Sequence, residues 1–240
     1  MNDLAAFLPG ARDALFLDFD GTLADIAPDP DAVFLSDADH AALLRLAARL
    51  DGALAVISGR DVRDLARRVP AGLWRIGGHG LEVLAPGASP GAAPPPPAAA
   101  LLAPLRAAAE APGVRLEIKG PVAALHFRAA PEAGPACLHA AETAAAAVPG
   151  HVVQPGKMVV EVKPAAASKG RALRATMAHP PFAGRRPVMM GDDATDEDAM
   201  RAAQDLGGLT VKVGDGPTVA GLRAPDPAAV RAWLARVAGG

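Results

Sequence analysis

The sequence predicts an α/β protein: a parallel sheet with helices on both faces, into which a smaller α+β unit is inserted. Two observations carry that expectation. Short apolar runs at 15–19, 54–57, 73–76 and 187–190 alternate with stretches of helical periodicity, the signature of a parallel sheet. From 113 to 163 this gives way to paired strands around an alanine-rich helix, the signature of a separate compact unit.

The first strand runs from Leu15 into Asp18 and Asp20, and a Pro/Asp-rich loop follows it. Leu43, Leu46, Ala47 and Leu50 then hold the i, i+3, i+4, i+7 spacing of a core-facing helix. Leu54–Ile57 is the second strand, and the next helix turns Val62, Leu65, Ala66 and Val69 inward and Arg63, Arg67 and Arg68 outward. A third strand, 73–76, enters Gly77-Gly78-His79-Gly80. Residues 85–97 contain six prolines and cannot hold a helix, so they form a loop ahead of a helix at 98–110. Strands at 114–119 and 122–128 meet at Gly120-Pro121, a helix spans 132–147, and strands at 151–154 and 158–163 are separated by Pro155-Gly156. After a helix from Ser168, a strand at 187–190 and a strand at 209–213, a helix bearing Val230, Leu234 and Val237 closes a Rossmann-like core. The expected division is 1–110 with 164–240 as core, and 111–163 as the insert.

Composition narrows the functions. With 240 residues the chain can bury a sizeable core, and 51% hydrophobic content with six Phe, two Trp and no Tyr makes that core one of Ala, Leu and Val. A net charge of −2 supplies no field for nucleic acid, and the aromatics are too few for base stacking. Cys137, the sole cysteine, has no disulfide partner within the chain and fits a buried thiol in a reducing compartment. The apolar run Leu4–Leu8 is too short for a signal peptide or a membrane span. A cytoplasmic monomer is expected, acting on a small molecule.

The chemistry gathers at strand ends, where open parallel sheets bind ligands. By the two-residue period of a strand, Asp18 and Asp20 project to the same side while Phe19 enters the core. Two acids at one site call for a hard cation, a split of their pKa values, or both. Gly21 lets the backbone turn and present amides to an anion. Ser58 is either the cap of the helix behind it or a hydroxyl for a phosphate oxygen. Arg60 is solvated or touches substrate, and His79 is structural or lies on the substrate side. Lys169 near a helix start opposes the helix dipole, which suits a lysine reaching inward to a carboxylate or phosphate. Asp192 to Asp198 holds five acids in seven residues directly after a strand; Thr195 and Asp198 have capping-box spacing, and the pattern fails as a calcium loop. In the insert, Glu117, Lys119, Arg128, Lys157, Glu161 and Lys163 form either a solvated sheet face or a binding face; four of the five lysines fall between 119 and 169.

The run Asp18-Phe19-Asp20-Gly21-Thr22-Leu23, with Ser58, Lys169 and Gly191-Asp192-Asp193 following in order, resembles the haloacid dehalogenase-like phosphohydrolases, and the insert resembles their C2-type cap domain. Gly78-His79-Gly80-Leu81-Glu82, Leu125-His126-Phe127-Arg128 and Gly156-Lys157 through Glu161 make the chain more similar still to the trehalose-6-phosphate phosphatases. The resemblance implies hydrolysis of a sugar phosphate with Mg²⁺ as cofactor. It makes Asp18 the nucleophile, Asp20 the acid/base, and Ser58 and Lys169 the phosphate holders. Asp18, Asp20, Asp192 and Asp196 would gather at the metal. Gly21, Arg60, His79, Glu117, Lys119, Arg128 and Glu161 would lie along the substrate. A phosphatase for a sucrose or glycosylglycerate phosphate would share the core motifs, and a non-catalytic sugar-phosphate sensor would have no need of Asp18.

Overall fold

Strands covered on both faces need no polar alternation, and the central strands obey this: every residue of β2 (Asp13–Asp18) and β3 (Leu54–Ile57) is buried. The computed structural model describes residues 2–239. Around those two strands the first third of the chain adds β1 (Asn2–Asp3), α1 (Asp37–Arg49), α2 (Val62–Arg68), β4 (Trp74–Gly77) and β5 (Glu82–Leu84). The middle contains α3 (Ala99–Ala108), β6 (Arg115–Lys119), β7 (Val122–His126), α4 (Gly134–Ala147), β8 (His151–Gly156) and β9 (Val159–Pro164). The last third holds α5 (Lys169–Met177), β10 (Arg186–Gly191), α6 (Ala194–Asp205), β11 (Leu209–Val213), β12 (Leu222–Ala224) and α7 (Pro227–Gly239).

The chain forms two compact units. The first joins the residues up to Pro90 with those from Ser168 onward and contains an eight-stranded sheet in the order β1-β12-β11-β10-β2-β3-β4-β5. Neighbours run parallel except β4 and β5. Helices cover both faces, so the expected α/β architecture is present. From β2 the chain steps to β3 on one side and later returns to β10 on the other, which makes the carboxyl ends of β2 and β10 the topological switch point. β1 and β12 were not legible, being two and three residues long.

The second unit, Gly91–Ala167, has an antiparallel sheet in the order β6-β7-β9-β8. Its core joins Leu101, Leu102 and Leu105 of α3 and Cys137, Ala141 and Ala144 of α4 to Ala123, Leu125, Val160 and Val162 of the sheet. α3, expected with the first unit, instead packs against α4 in the second. No helix among the described residues is long and apolar enough to cross a membrane.

Three local readings need correction. Arg68, expected outward, is fully buried, because Asp64 and the main-chain oxygens of Asp31 and Val33 satisfy its guanidinium while the ring of Phe34 lies 4.5 Å away. Pro155 and Gly156 do not lie between strands but end β8; the turn is Lys157-Met158, and proline is tolerated because β8 is an edge strand. The capping box of α6 is Asp193 with Asp196, two residues ahead of the expected pair, since the helix already starts at Ala194.

Phe182 is buried between Phe16 at 5.3 Å and Trp74 at 5.6 Å, centroid to centroid. Phe182→Ala should lower unfolding stability by about 3–5 kcal/mol. Urea denaturation read on tryptophan fluorescence checks this, and an unchanged midpoint would show that the aromatic cluster does not hold the sheet.

Candidate active site

Asp18 is the last residue of β2 and is buried. A lone buried carboxylate would be costly. The compensating charge is Lys169, equally buried, whose Nζ stands 2.7 Å from Asp18 Oδ1 and 2.7 Å from Asp196 Oδ1. Lys169 is the first residue of α5, where the helix dipole disfavours a cation, and the two carboxylates offset that cost. Ser168 caps this helix through the Arg171 amide and donates its hydroxyl to Asp198 at 2.6 Å, which fixes the start of α5. Asp196 spends its second oxygen on the amides of Asp192 at 3.0 Å and Asp193 at 3.1 Å, folding the loop after β10 over α6. Lys212 donates to the main-chain oxygen of Asp192.

Asp18, Asp192 and Asp196 each offer an oxygen, all within 4.8 Å of one another. Two glycines make room for them. Gly21 has φ +80°, and a Cβ there would strike the Asp192 carboxylate; a Cβ on Gly191 would strike Asp196. Burial raises Asp18 to about 7, against the pull of Lys169 and with the push of Asp193 and Asp192. Burial also raises Asp192 to about 7, with Asp196 and Asp193 adding to it. Asp196 lies well above the ordinary carboxylate range through burial and the nearby Asp18. Burial works against the charge on Lys169, yet Asp18 and Asp196 overcome it and raise its pKa. Three carboxylates facing one ammonium leave an excess of acidic groups that fits a hard divalent cation.

Asp20 departs from expectation. The strand period ends at Asp18, because the amides of Leu23 and Ala24 both turn back to the Phe19 oxygen and Gly21 takes its positive φ. Asp20 therefore does not share Asp18's oxygen cluster. Both its oxygens are gripped by Arg60, with Nε to Oδ2 and Nη2 to Oδ1 at 2.6 Å each. Arg60 is thus largely buried and paired rather than solvated, and it also reaches Asp64 at 2.8 Å. Asp64 carried no signal distinguishing it from a surface acid, although its four-residue spacing from both Arg60 and Arg68 was there to read.

Ser58, buried at the end of β3, does not cap α2; Asp61 does, through the Arg63 amide. The Ser58 hydroxyl accepts from the Arg60 amide at 3.1 Å. His79 is buried in a left-handed conformation (φ 55°), its amide donates to the main-chain oxygen of Ser58 at 3.0 Å, and a Cβ on Gly59 would come within 2.6 Å of its ring. Gly59 thus leaves room for the His79 ring, and Gly80 (φ +99°) lets the chain pass α5, where a Cβ would come within 2.4 Å of Ala172.

In the second unit, Glu117, Ala124, Glu161 and Gln154 are register neighbours across the four strands, on the face away from α3 and α4. Glu117 bonds His126 Nε2 at 2.7 Å and lies 3.3 Å from Lys119 Nζ; the His126 bond in particular, with Lys119, lowers it to about 2. His126, quoted above only as part of a motif, lies diagonal to Glu117 on that face, two register positions along, so its pairing with Glu117 needs the hairpin register to be seen. Lys119 is exposed at the end of β6, and Arg128 is exposed in the turn two residues beyond β7, outside the Glu117–Glu161 row.

The family model described as Trehalose-phosphatase matches residues 16–220, from the strand that carries Asp18 to beyond Asp196. The chain belongs to the trehalose-phosphatase family. It is accordingly an enzyme, a phosphoric monoester hydrolase. It is 40% identical over 228 residues to the trehalose-6-phosphate phosphatase of Escherichia coli, covering 93% of this chain and 86% of that one. It is 44% identical over 206 residues to a probable trehalose-phosphate phosphatase of Sinorhizobium fredii, covering 84% and 77%. Among solved structures, the C-terminal domain of Candida albicans trehalose-6-phosphate phosphatase has the same fold, with a TM-score of 0.79 at 24% identity over 96% of this chain and 93% of that one.

Removing Lys169 leaves two buried carboxylates facing one another. Lys169→Met should destabilise the metal-free protein by about 3–5 kcal/mol near neutral pH. The deficit should shrink towards about pH 5, because the raised carboxylates are neutral below their folded pKa and ionise as pH rises through it. Thermal unfolding across that range in the presence of chelator is the check; a deficit that grows on acidification would contradict the arrangement.

Proposed function

We propose that this chain hydrolyses trehalose 6-phosphate to trehalose and inorganic phosphate through a phosphoryl group carried on Asp18. The observation that carries the reading is the Asp18–Lys169–Asp196 bridge beside Asp192 at the switch point. It offers a carboxylate oxygen for attack and a cation to absorb the charge. Membership of the family and the names of the relatives in Escherichia coli and Sinorhizobium fredii support the substrate.

In the first step an Asp18 oxygen bonds to phosphorus as the bond from phosphorus to the sugar oxygen breaks, and Asp20, in its acid form, gives that oxygen its proton. In the second, Asp20 as carboxylate takes a proton from water while the water oxygen attacks phosphorus. The acyl–phosphate bond breaks, Asp18 recovers its carboxylate and Asp20 its acid form. Lys169 and the Ser58 hydroxyl hold phosphate oxygens through both steps. Asp18, Asp192 and Asp196 would hold Mg²⁺, which supplies charge neutralisation at the phosphoryl group when bound.

We assign the second unit the role of a cap domain that selects the sugar, with Glu117, Glu161, Lys119 and Arg128 as its hydroxyl-binding groups. Small Ala124 stands between the two glutamates in the register, which places them on one face of the sheet on either side of β7. Sites built to hydrogen-bond hydroxyls reject analogues that lack them.

Phosphate release from a panel of sugar phosphates with Mg²⁺ tests the substrate; trehalose 6-phosphate should show the highest kcat/KM, and preference for another member would overturn the assignment. Asp18→Asn should abolish turnover of every ester in the panel, which quenched-flow detection of a phosphoenzyme can corroborate. Glu161→Ala should lower kcat/KM for the disaccharide ester more than for an aryl phosphate, and an equal loss on both would count against the cap role. Because Asp18 and Asp192 are pushed to about 7 without metal, ion binding must expel protons, and Mg²⁺ affinity should climb as pH rises through neutrality. Calorimetry in buffers of different ionisation enthalpy measures that release, and none at neutral pH would refute the donor set.

A further inference from the structure

We propose that Arg60, braced by Asp64, is the positioning residue for Asp20 and sets where that carboxylate stands for both of its proton transfers. The inference rests on the acid/base reading of Asp20 given above. Past Asp18 the chain has left β2, so the strand does not orient the Asp20 side chain. Among the described residues its carboxylate has one hydrogen-bond partner, the two-pronged guanidinium of Arg60, at 2.6 Å to each oxygen. A planar fork fixes both the position and the plane of a carboxylate, which a single ammonium cannot do.

Arg60 is itself immobilised from several directions. Nη1 donates to Asp64 Oδ2 at 2.8 Å and Nη2 to the Pro30 oxygen at 3.0 Å, while the guanidinium stands 5.4 Å from the centre of the Phe19 ring. Its backbone is tied at both ends, the amide to Ser58 Oγ at 3.1 Å and the carbonyl to the Gly78 amide at 2.7 Å. Asp64 is locked in turn by Arg67 at 2.7 Å and by the buried Arg68 at 2.9 and 3.0 Å. A chain of contacts thus runs from a buried arginine through Asp64 and Arg60 to one acid at the rim. Four of its five N–H donors are committed, so a two-pronged hold on a phosphate would have to displace at least one of these partners. Asp20 can carry a proton on one oxygen by releasing one prong while the other still holds it.

The test separates steps that need Asp20 from the step that does not. A sugar alkoxide must be protonated to leave, whereas 4-nitrophenolate leaves unaided, so only dephosphorylation needs Asp20 with the aryl ester. Arg60→Ala and Arg60→Lys should lower kcat for the sugar phosphate by about 10²–10⁴-fold, the usual worth of a general acid or base, with KM changed much less. On 4-nitrophenyl phosphate both should keep a first-turnover burst of one nitrophenolate per site and then turn over slowly. Asp64→Asn should move in the same direction by a smaller factor, and added guanidinium should partly restore Arg60→Ala. A rise in KM at unchanged kcat would make Arg60 a substrate contact and overturn the proposal, as would loss of the burst in the well-folded lysine variant. Asp20→Asn distinguishes the failures. If it shows the burst and the Arg60 variants do not, positioning by Arg60 alone is wrong; if it leaves sugar-phosphate turnover intact, the acid/base reading falls and this inference with it.

Discussion

One ammonium shared by two buried carboxylates is the constraint around which the first unit is arranged. Ionised groups cannot be taken out of water singly, so the carboxyl end of β2, the start of α5 and the start of α6 must meet at one point for any of the three charges to be tolerated. Much of the surrounding sequence serves that meeting. Ser168 and the Gly170 amide both bind Asp198, and a Cβ at Gly170 would come within 2.8 Å of the Asp198 main-chain oxygen. Gly21 and Gly191 clear space for Asp192 and Asp196 in the same way. The site carries more negative than positive charge at its centre, a poor design for stability and a suitable one for a protein that takes up a cation.

The parallel sheet, the antiparallel insert, Asp18 and Asp192 are legible because each rests on local rules: apolar runs between helical periods, turns at glycine and proline, acids at strand ends; Asp196, inside α6, comes only with the family resemblance. The partnership of Asp20 is not legible. A period-two argument places residues on one side only as long as the strand lasts, and β2 ends at Asp18. Arg68 was misplaced for the opposite reason, since helical periodicity treats charge as outward, whereas Asp64 and a loop of bare carbonyls gave it an interior partner set. Glu117 and His126 meet across a two-residue turn, and that pairing becomes visible only when the hairpin register is fixed.

The two rims of acidity in the first unit are kept distinct by their counterions. Asp18 and Asp196 share a lysine, a compact point charge that can also face a phosphate; Asp20 has an arginine, whose plane dictates orientation. Two aspartates separated by one residue in the sequence thereby have unlike surroundings, which suits two unlike tasks in one reaction.

The placement of Pro155 in β8 bears on how the second unit behaves among its own kind. β8 is the last strand of its sheet, and a free strand border is ordinarily a template on which another polypeptide can zip. A ring in place of an amide hydrogen removes a donor from that border, and the tight Lys157-Met158 turn ends it at once. β8 therefore offers a second strand one backbone donor fewer than an unbroken border would, which weakens pairing between copies along that side.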